Sequence, residues 1–106
     1  MAGVLVNVPA TVRRGDIVPV KTLISHVMES GFRLTELGAA IPRDILRLFI
    51  CTYNGTEVFR AEIFPAIAAN PFFAFTTVAT ESGQLEFTWL GDNGFSATAT
   101  AAIQVV

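Results

Sequence analysis

Cysteine, histidine, lysine and, over long stretches, charge of either sign are scarce in this chain of 106 residues. Lys21 is the only lysine, and 7 Lys and Arg stand against 9 Asp and Glu, a net charge of −2. With no broad basic surface, nucleic-acid binding is excluded, and with no polybasic segment so is electrostatic attachment to an anionic membrane. Cys51 is the only cysteine, so no internal disulfide can form. The compartment stays open between a reducing cytoplasm and an oxidising space where the thiol is buried or pairs with another chain. One cysteine and one histidine, His26, without a CxxC pair, cannot build a structural zinc site. They equally fail metal enzymes that need several histidines. No glycine-rich phosphate loop occurs, and no cofactor or metal is expected. A membrane span is not expected either: the uncharged run 63–80 is broken by Pro65, Asn70 and Pro71, and the uncharged run 93–106 is short and alternates small polar with apolar residues. The opening MAGVLVNVPATVRRGD sets its basic residues after a short apolar stretch, the reverse of a secretory signal, so no signal peptide of its own is expected.

What is present is apolar. Hydrophobic residues make up 52% and mean hydropathy is +0.55, both high for a soluble domain. The length fits one domain, residues 1–106, able to hide about 65% of its unfolded surface without disulfides or metals. A β-type sequence that omits charge from two long runs expects a second surface to cover it.

Turn punctuation and the lack of helical period place strands near 3–9, 17–26, 46–53, 57–64, 72–80, 84–90 and 96–105. Seven short strands without a βαβ rhythm predict an all-β, immunoglobulin-like antiparallel β-sandwich. The connection 28–44 carries Gly31, Gly38 and Pro42 and is expected to be an ordered surface loop with room for a helical turn. Pro65 is expected to end one strand and Pro71 to start the next, where the chain changes sheets.

Two hairpins can be set in register. Asn54-Gly55 predicts a type I′ turn, whose central residues both need positive φ. A two-residue loop pairs Ile50 with Phe59, Leu48 with Ala61 and Leu46 with Ile63 as the core face. Tyr53/Thr56, Cys51/Val58, Phe49/Arg60 and Arg47/Glu62 then lie on the outer face. In the second hairpin a three-residue loop, Asp92-Asn93-Gly94 with Gly94 left-handed, sets Trp89 on Ala97 and Phe87 on Ala99, with Thr88/Thr98 and Glu86/Thr100 on the other face.

Few residues suggest chemistry. His26 shares strand parity with Val18, Val20, Thr22 and Ile24 and reads as a strand-end histidine at the core margin. Cys51 falls beside Arg60, whose guanidinium would lower a thiol pKa; a small residue filling the sheet surface is the alternative. Glu29, Glu36 and Asp44 read as solvated charges, and the sequon Asn54-Gly55-Thr56 is explained by its turn. The outer face of the first hairpin, Arg47, Phe49, Cys51, Val58 and Arg60, has the apolar centre and charged border of a protein–protein patch. A half-exposed sheet, or burial under 28–44, would explain it as well. Phe72 and Phe73 form a second candidate contact. The final strand lacks the charges or prolines that guard an edge, so it is either internal to a sheet or paired with a partner.

KTLISHVMESGFR (21–33), IPRDILRLFICTYNG (41–55), VFRAEIFPAIAANPFFAF (58–75) and ESGQLEFTWLGDNG (81–94) closely resemble the SoxZ family, in order and with matching spacing. The weakest match is LTELGAA (34–40), where a more charged segment is expected. The resemblance implies an immunoglobulin-like, non-catalytic subunit in a heterodimer with SoxY. There the substrate-carrying cysteine belongs to SoxY, on a flexible glycine-rich C-terminal arm. Sulfur intermediates from thiosulfate stay attached to that arm while other Sox enzymes, met transiently, process them. This chain ends AAIQVV, so no catalytic residue is carried over. The family also implies a periplasmic complex exported with its signal-bearing partner. A generic sandwich module for protein contacts, or a thiol enzyme using Cys51, are the rival readings, and a homodimer is expected of the isolated protein.

Overall fold

The computed structural model describes residues 3–64, 67 and 69–106; the strand end expected at Pro65 lies outside the described residues. Eight strands form: β1 Val4–Asn7, β2 Thr11–Val12, β3 Ile17–Ile24, β4 Leu46–Tyr53, β5 Thr56–Glu62, β6 Phe72–Val78, β7 Gly83–Gly91 and β8 Ser96–Val105. They make two sheets, β1-β3-β6 and β2-β8-β7-β4-β5, the layout of an immunoglobulin-like sandwich. All seven expected strands are found. The strand expected at 3–9 stops at Asn7, and the chain then crosses to the other sheet, where β2 adds in parallel to the end of β8. Strand β8 therefore lies inside a sheet only at Gln104 and Val105; among the described residues nothing pairs with its far edge along 96–103.

Alternation explains the inner faces. In β3, Val18, Val20, Thr22 and Ile24 point inward and are nearly fully buried, while Ile17, Pro19 and Lys21 face out. In β7 the inward residues are Leu85, Phe87 and Trp89. Aromatic rings join the two sheets: Phe73 of β6 stacks on Phe49 of β4 at 5.0 Å, and Phe75 stacks on Phe59 of β5 at 4.2 Å. Such pairs contribute about 0.5–1.5 kcal/mol each beyond the area they bury.

The second hairpin has the expected register, with Trp89 opposite Ala97, Phe87 opposite Ala99 and Thr88 opposite Thr98. Its three-residue loop, Asp92–Gly94, is a tight turn in which Asn93 and Gly94 both take positive φ and the Phe95 N–H closes onto the Asp92 carbonyl (3.1 Å). The first hairpin departs from expectation after its turn. Asn54 and Gly55 do adopt φ of 48° and 84°, and Tyr53 pairs with Thr56 and Thr52 with Glu57. A one-residue bulge at Val58 then sets Cys51 opposite Phe59, Ile50 opposite Arg60, Phe49 opposite Ala61 and Leu48 opposite Glu62. Phe59, Ala61 and Ile63 face the core as expected. Their partners are Phe49 and Cys51, both fully buried, and not Leu48 and Ile50, which are only partly covered. The outer-face placement of Phe49 and Cys51 is thus corrected. A second irregularity, at Arg47 in the pairing of β4 with β7, lets both Leu46 and Phe49 reach the core although they are three residues apart.

The connection 28–44 contains no helical turn. It leaves the sandwich as a two-stranded arm. Glu29 and Asp44 exchange both backbone hydrogen bonds at its base (2.8 and 2.7 Å), the Ile41 N–H donates to the Arg33 carbonyl (2.9 Å), and Gly38 N–H closes the tip onto Thr35 (2.9 Å). The molecule measures 60 × 21 × 19 Å with a radius of gyration of 16.3 Å, against about 13 Å for a compact chain of this length.

Candidate interaction surfaces

The two residues with reactive potential are tied into the fold. The Cys51 side chain is fully buried on the inner face of β4, opposite Phe59. Burial pushes its thiol up to about 12, the opposite of what a nucleophile at neutral pH requires. Arg60 gives it no help, because Arg60 faces solvent and donates to Glu57 (2.9 and 3.0 Å). His26, just past β3, is buried at the core margin as expected. Its Nδ1 accepts from the Met28 N–H (3.0 Å), its Nε2 lies 3.8 Å from Asp44, and its ring meets the edge of Phe95. The backbone at His26 is bound in both directions to Asn70, its N–H donating to Oδ1 (2.9 Å) and its carbonyl accepting from Asn70 N–H (2.7 Å). This histidine staples the base of the arm. Among the described residues no group of three His, Cys, Asp or Glu side chains is placed to hold a metal ion.

Arg33, Arg43, Arg47 and Arg60 are each paired with an acid of the same chain. Asp92 is a hub: it accepts two bonds from the Arg43 guanidinium (2.8 and 2.9 Å) and one from the Ile45 N–H (3.2 Å), and lies 3.3 Å from Arg47. The Arg43 guanidinium, with help from that N–H and from Arg47, holds its carboxyl below the usual carboxylate range. Arg47 therefore pairs with Asp92, and the expected Arg47/Glu62 cross-strand pair is replaced. Glu29 is likewise held low by Arg33, to which it is bound at 2.8 and 3.0 Å.

Three surfaces stand out among the described residues. An open cleft of about 400 Å³ is lined by Arg43, Arg47, Arg60 and Glu62 over Leu48, Ile63, Phe64 and Leu90. Arg47 and Arg60 of the expected patch meet here, but its apolar floor comes from Leu48, Phe64 and Leu90. Val58 is half-buried against the core. The second surface is the outer face of the β1-β3-β6 sheet. Leu5, Leu23 and Phe72 line up across its three strands, and Ile17 sits opposite Val78, with Lys21 the single charge among them. Of the Phe72/Phe73 pair, only Phe72 is exposed; Phe73 turns inward onto Phe49. The third surface is the arm, where Phe32, Leu34 and Leu37 are exposed.

The geometry thus defines an immunoglobulin-like sandwich whose thiol and imidazole serve packing and whose uncovered chemistry is apolar surface. Residues 6–102 match the family described as sulphur oxidation protein SoxZ. The chain belongs to the SoxZ family, and hence to the sulfur-oxidation (Sox) system. No curated protein matches it significantly. Among solved structures it is similar in fold to a superoxide reductase (neelaredoxin) from Ignicoccus hospitalis, with 17% identity, 97% of this chain and 79% of that one covered, and a TM-score of 0.75. It is also similar to the sulfur carrier protein SoxY from Chlorobium limicola f thiosulfatophilum, with 13% identity, 97% and 78% coverage and a TM-score of 0.68. A putative superoxide reductase from Thermotoga maritima gives 13% identity, 97% and 85% coverage and a TM-score of 0.71. At these identities the likeness is one of fold alone.

Proposed function

We propose that this chain is the non-catalytic partner of SoxY in a heterodimeric sulfur carrier of the periplasm. It stabilises SoxY and helps present sulfur intermediates, held on the SoxY cysteine, to the thiosulfate-oxidising Sox enzymes. The observation that carries the reading is the inversion of chemistry and surface: the lone thiol is sealed in the core, whereas large apolar side chains such as Phe72, Leu37 and Phe32 stand in solvent. Burial that raises a thiol pKa suits a packing role, and exposed apolar patches suit a protein contact. A tethered carrier presents its cargo at high effective concentration, so contacts with successive enzymes work best when weak and exchangeable.

Co-expression with a signal-bearing SoxY tests this directly. The expected result is a 1:1 complex in the periplasmic fraction, with thiosulfate-derived mass on the SoxY cysteine and none on Cys51. The Cys51→Ser variant should form the same complex and support the same sulfur loading. Thiosulfate turnover by the purified chain alone, lost in Cys51→Ser, would overturn the reading in favour of a thiol enzyme. Equal binding to unrelated sandwich proteins would point to a generic interaction module.

A further inference from the structure

The cleft that holds Arg43, Arg47 and Arg60 is shaped by two irregularities of the β4 ladders. Between Leu46, opposite Gly91, and Leu48, opposite Leu90, Arg47 is the extra residue. The bulge at Val58 sets Arg60 opposite Ile50 and Glu62 opposite Leu48. Bulges re-aim side chains, and here both turn an arginine toward the same opening. The floor is apolar: Leu48 and Leu90 face each other across β4 and β7, and Phe64, just past β5, is 62% exposed.

The acids around the cleft do not fully match its guanidiniums. The lining has three arginines and one carboxylate, Glu62. Asp92 lies beneath, and each of its oxygens is already used twice: Oδ2 by Arg43 Nε (2.8 Å) and the Ile45 N–H (3.2 Å), Oδ1 by Arg43 Nη2 (2.9 Å) and Arg47 Nε (3.3 Å). Counting Asp92 together with Glu62 still leaves one of the three positive charges over, in a chain of net charge −2. Arg60 is held by one oxygen of Glu57, which lies outside the cleft; both side chains are about half exposed, and such a pair is weak enough to be exchanged for another anion.

Charge and floor together specify the occupant. A free inorganic anion would use the arginines and leave Leu48, Leu90 and Phe64 wet. A small organic molecule binds where most of its surface is enclosed, and this cleft is open. An extended peptide meets both demands, because residues two apart point the same way at a spacing of about 7 Å. We propose that the cleft is a docking site for an extended acidic and apolar peptide segment of another protein: a carboxylate lies between Arg47 and Arg60, and an apolar side chain two residues away covers Leu48, Leu90 and Phe64. The site is independent of the SoxY reading, since neither SoxY nor thiosulfate enters its measurement.

The test is a titration of the full chain, labelled with nitrogen-15, with the blocked peptide acetyl-Phe-Ala-Asp-Ala-Phe-amide, followed by NMR. The expected shifts cluster at the Arg47 and Arg60 side-chain N–H groups and the Leu48 and Leu90 amides, and they weaken as ionic strength rises. Replacing the peptide's Asp with Asn, or both Phe with Ala, should weaken binding at least about tenfold, as should Arg47→Glu or Arg60→Glu in the protein. Arg60→Glu should in turn prefer the peptide with Lys in place of Asp. Lys21→Glu, on the other sheet, should bind as wild type. The peptide substitutions leave the protein untouched, so they decide the matter even if an arginine variant folds poorly. Equal binding of the Asn peptide, or an equal loss in Lys21→Glu, would overturn the proposal. So would the same shifts from sulfate at the same concentration, which would reduce the cleft to an anion site. Shifts at these residues on raising protein concentration alone would make the occupant a second copy and overturn it as well.

Discussion

Phe49 contacts five other aromatic rings, those of Phe59, Phe73, Phe75, Phe87 and Trp89, at centroid distances of 5.0–6.3 Å. It is the point where the two sheets meet, and Phe49→Ala should cost about 3–5 kcal/mol of stability, measured by denaturant unfolding. Phe72→Ala, on the exposed face of β6, should change stability by no more than about 0.5 kcal/mol. Loss of SoxY binding in the Phe49 variant without loss of stability would contradict its core position. Cys51 supplies a second residue-level expectation. Its thiol is raised from an ordinary value of 9.0 to about 12 by burial, so the folded state retains a proton that the unfolded state gives up between those values. The contribution is fully present below about pH 9 and is lost as pH climbs from about 9 towards 12. Urea midpoints should fall over that window in the wild type and fall less steeply in Cys51→Ala. Thiol labelling at pH 8 should proceed only as fast as the protein opens.

At the level of elements, the loop Asp92–Gly94 ties β7 and β8 to the start of β4 through Asp92. Because its folded pKa is depressed, the stabilisation it gives is present above the unfolded value near 4 and is lost as pH falls through the folded one. Asp92→Asn should lower the melting temperature at pH 7 and flatten part of the loss seen on acidification; an unchanged acid limb would show that the Arg43 clamp contributes nothing. The two hairpins also show what a sequence can convey. Around Asp92–Gly94 the large aromatics Phe87 and Trp89 and the polar Glu86 and Thr88 occupy opposite parities, so alternation admits one register, and the structure has it. In β4 both parities are apolar: Leu46, Leu48 and Ile50 compete with Phe49, Cys51 and Tyr53. Alternation cannot choose between them, and the bulges at Val58 and Arg47 leave no trace in composition. That ambiguity put Phe49 and Cys51 on the wrong face and concealed Leu48, Phe64 and Leu90 as the floor of the cleft. Arg47, Arg60 and Phe72 were legible as surface because their chemistry or parity had no competing explanation. The two-residue β2 carries too little periodicity to be read, and at 28–44 the breakers Gly31, Gly38 and Pro42 reveal a surface loop but not its paired legs.

Across the whole molecule the free edges are treated unequally. On one side of the sandwich β5 carries Glu57, Arg60 and Glu62 along its length, the usual guard against pairing with another chain. Its neighbour across the sandwich, β6, is FFAFTTV, with no charge and no internal proline, and it adjoins the outer face bearing Leu5, Ile17, Leu23 and Val78. An edge that offers seven unguarded residues beside apolar surface should pair with itself when no other subunit is supplied. The isolated chain is therefore expected to sediment as a dimer at micromolar concentration, with a melting temperature that rises with protein concentration, since association stabilises only the folded state. Thr76→Lys places a charge in the middle of that edge and, being exposed, should leave the fold intact while shifting the protein toward a single-chain mass. Sedimentation of the wild type as a monomer at all accessible concentrations would mean that the β6 edge is not sticky enough to drive association. The guarding of β5 would then have no functional counterpart in β6.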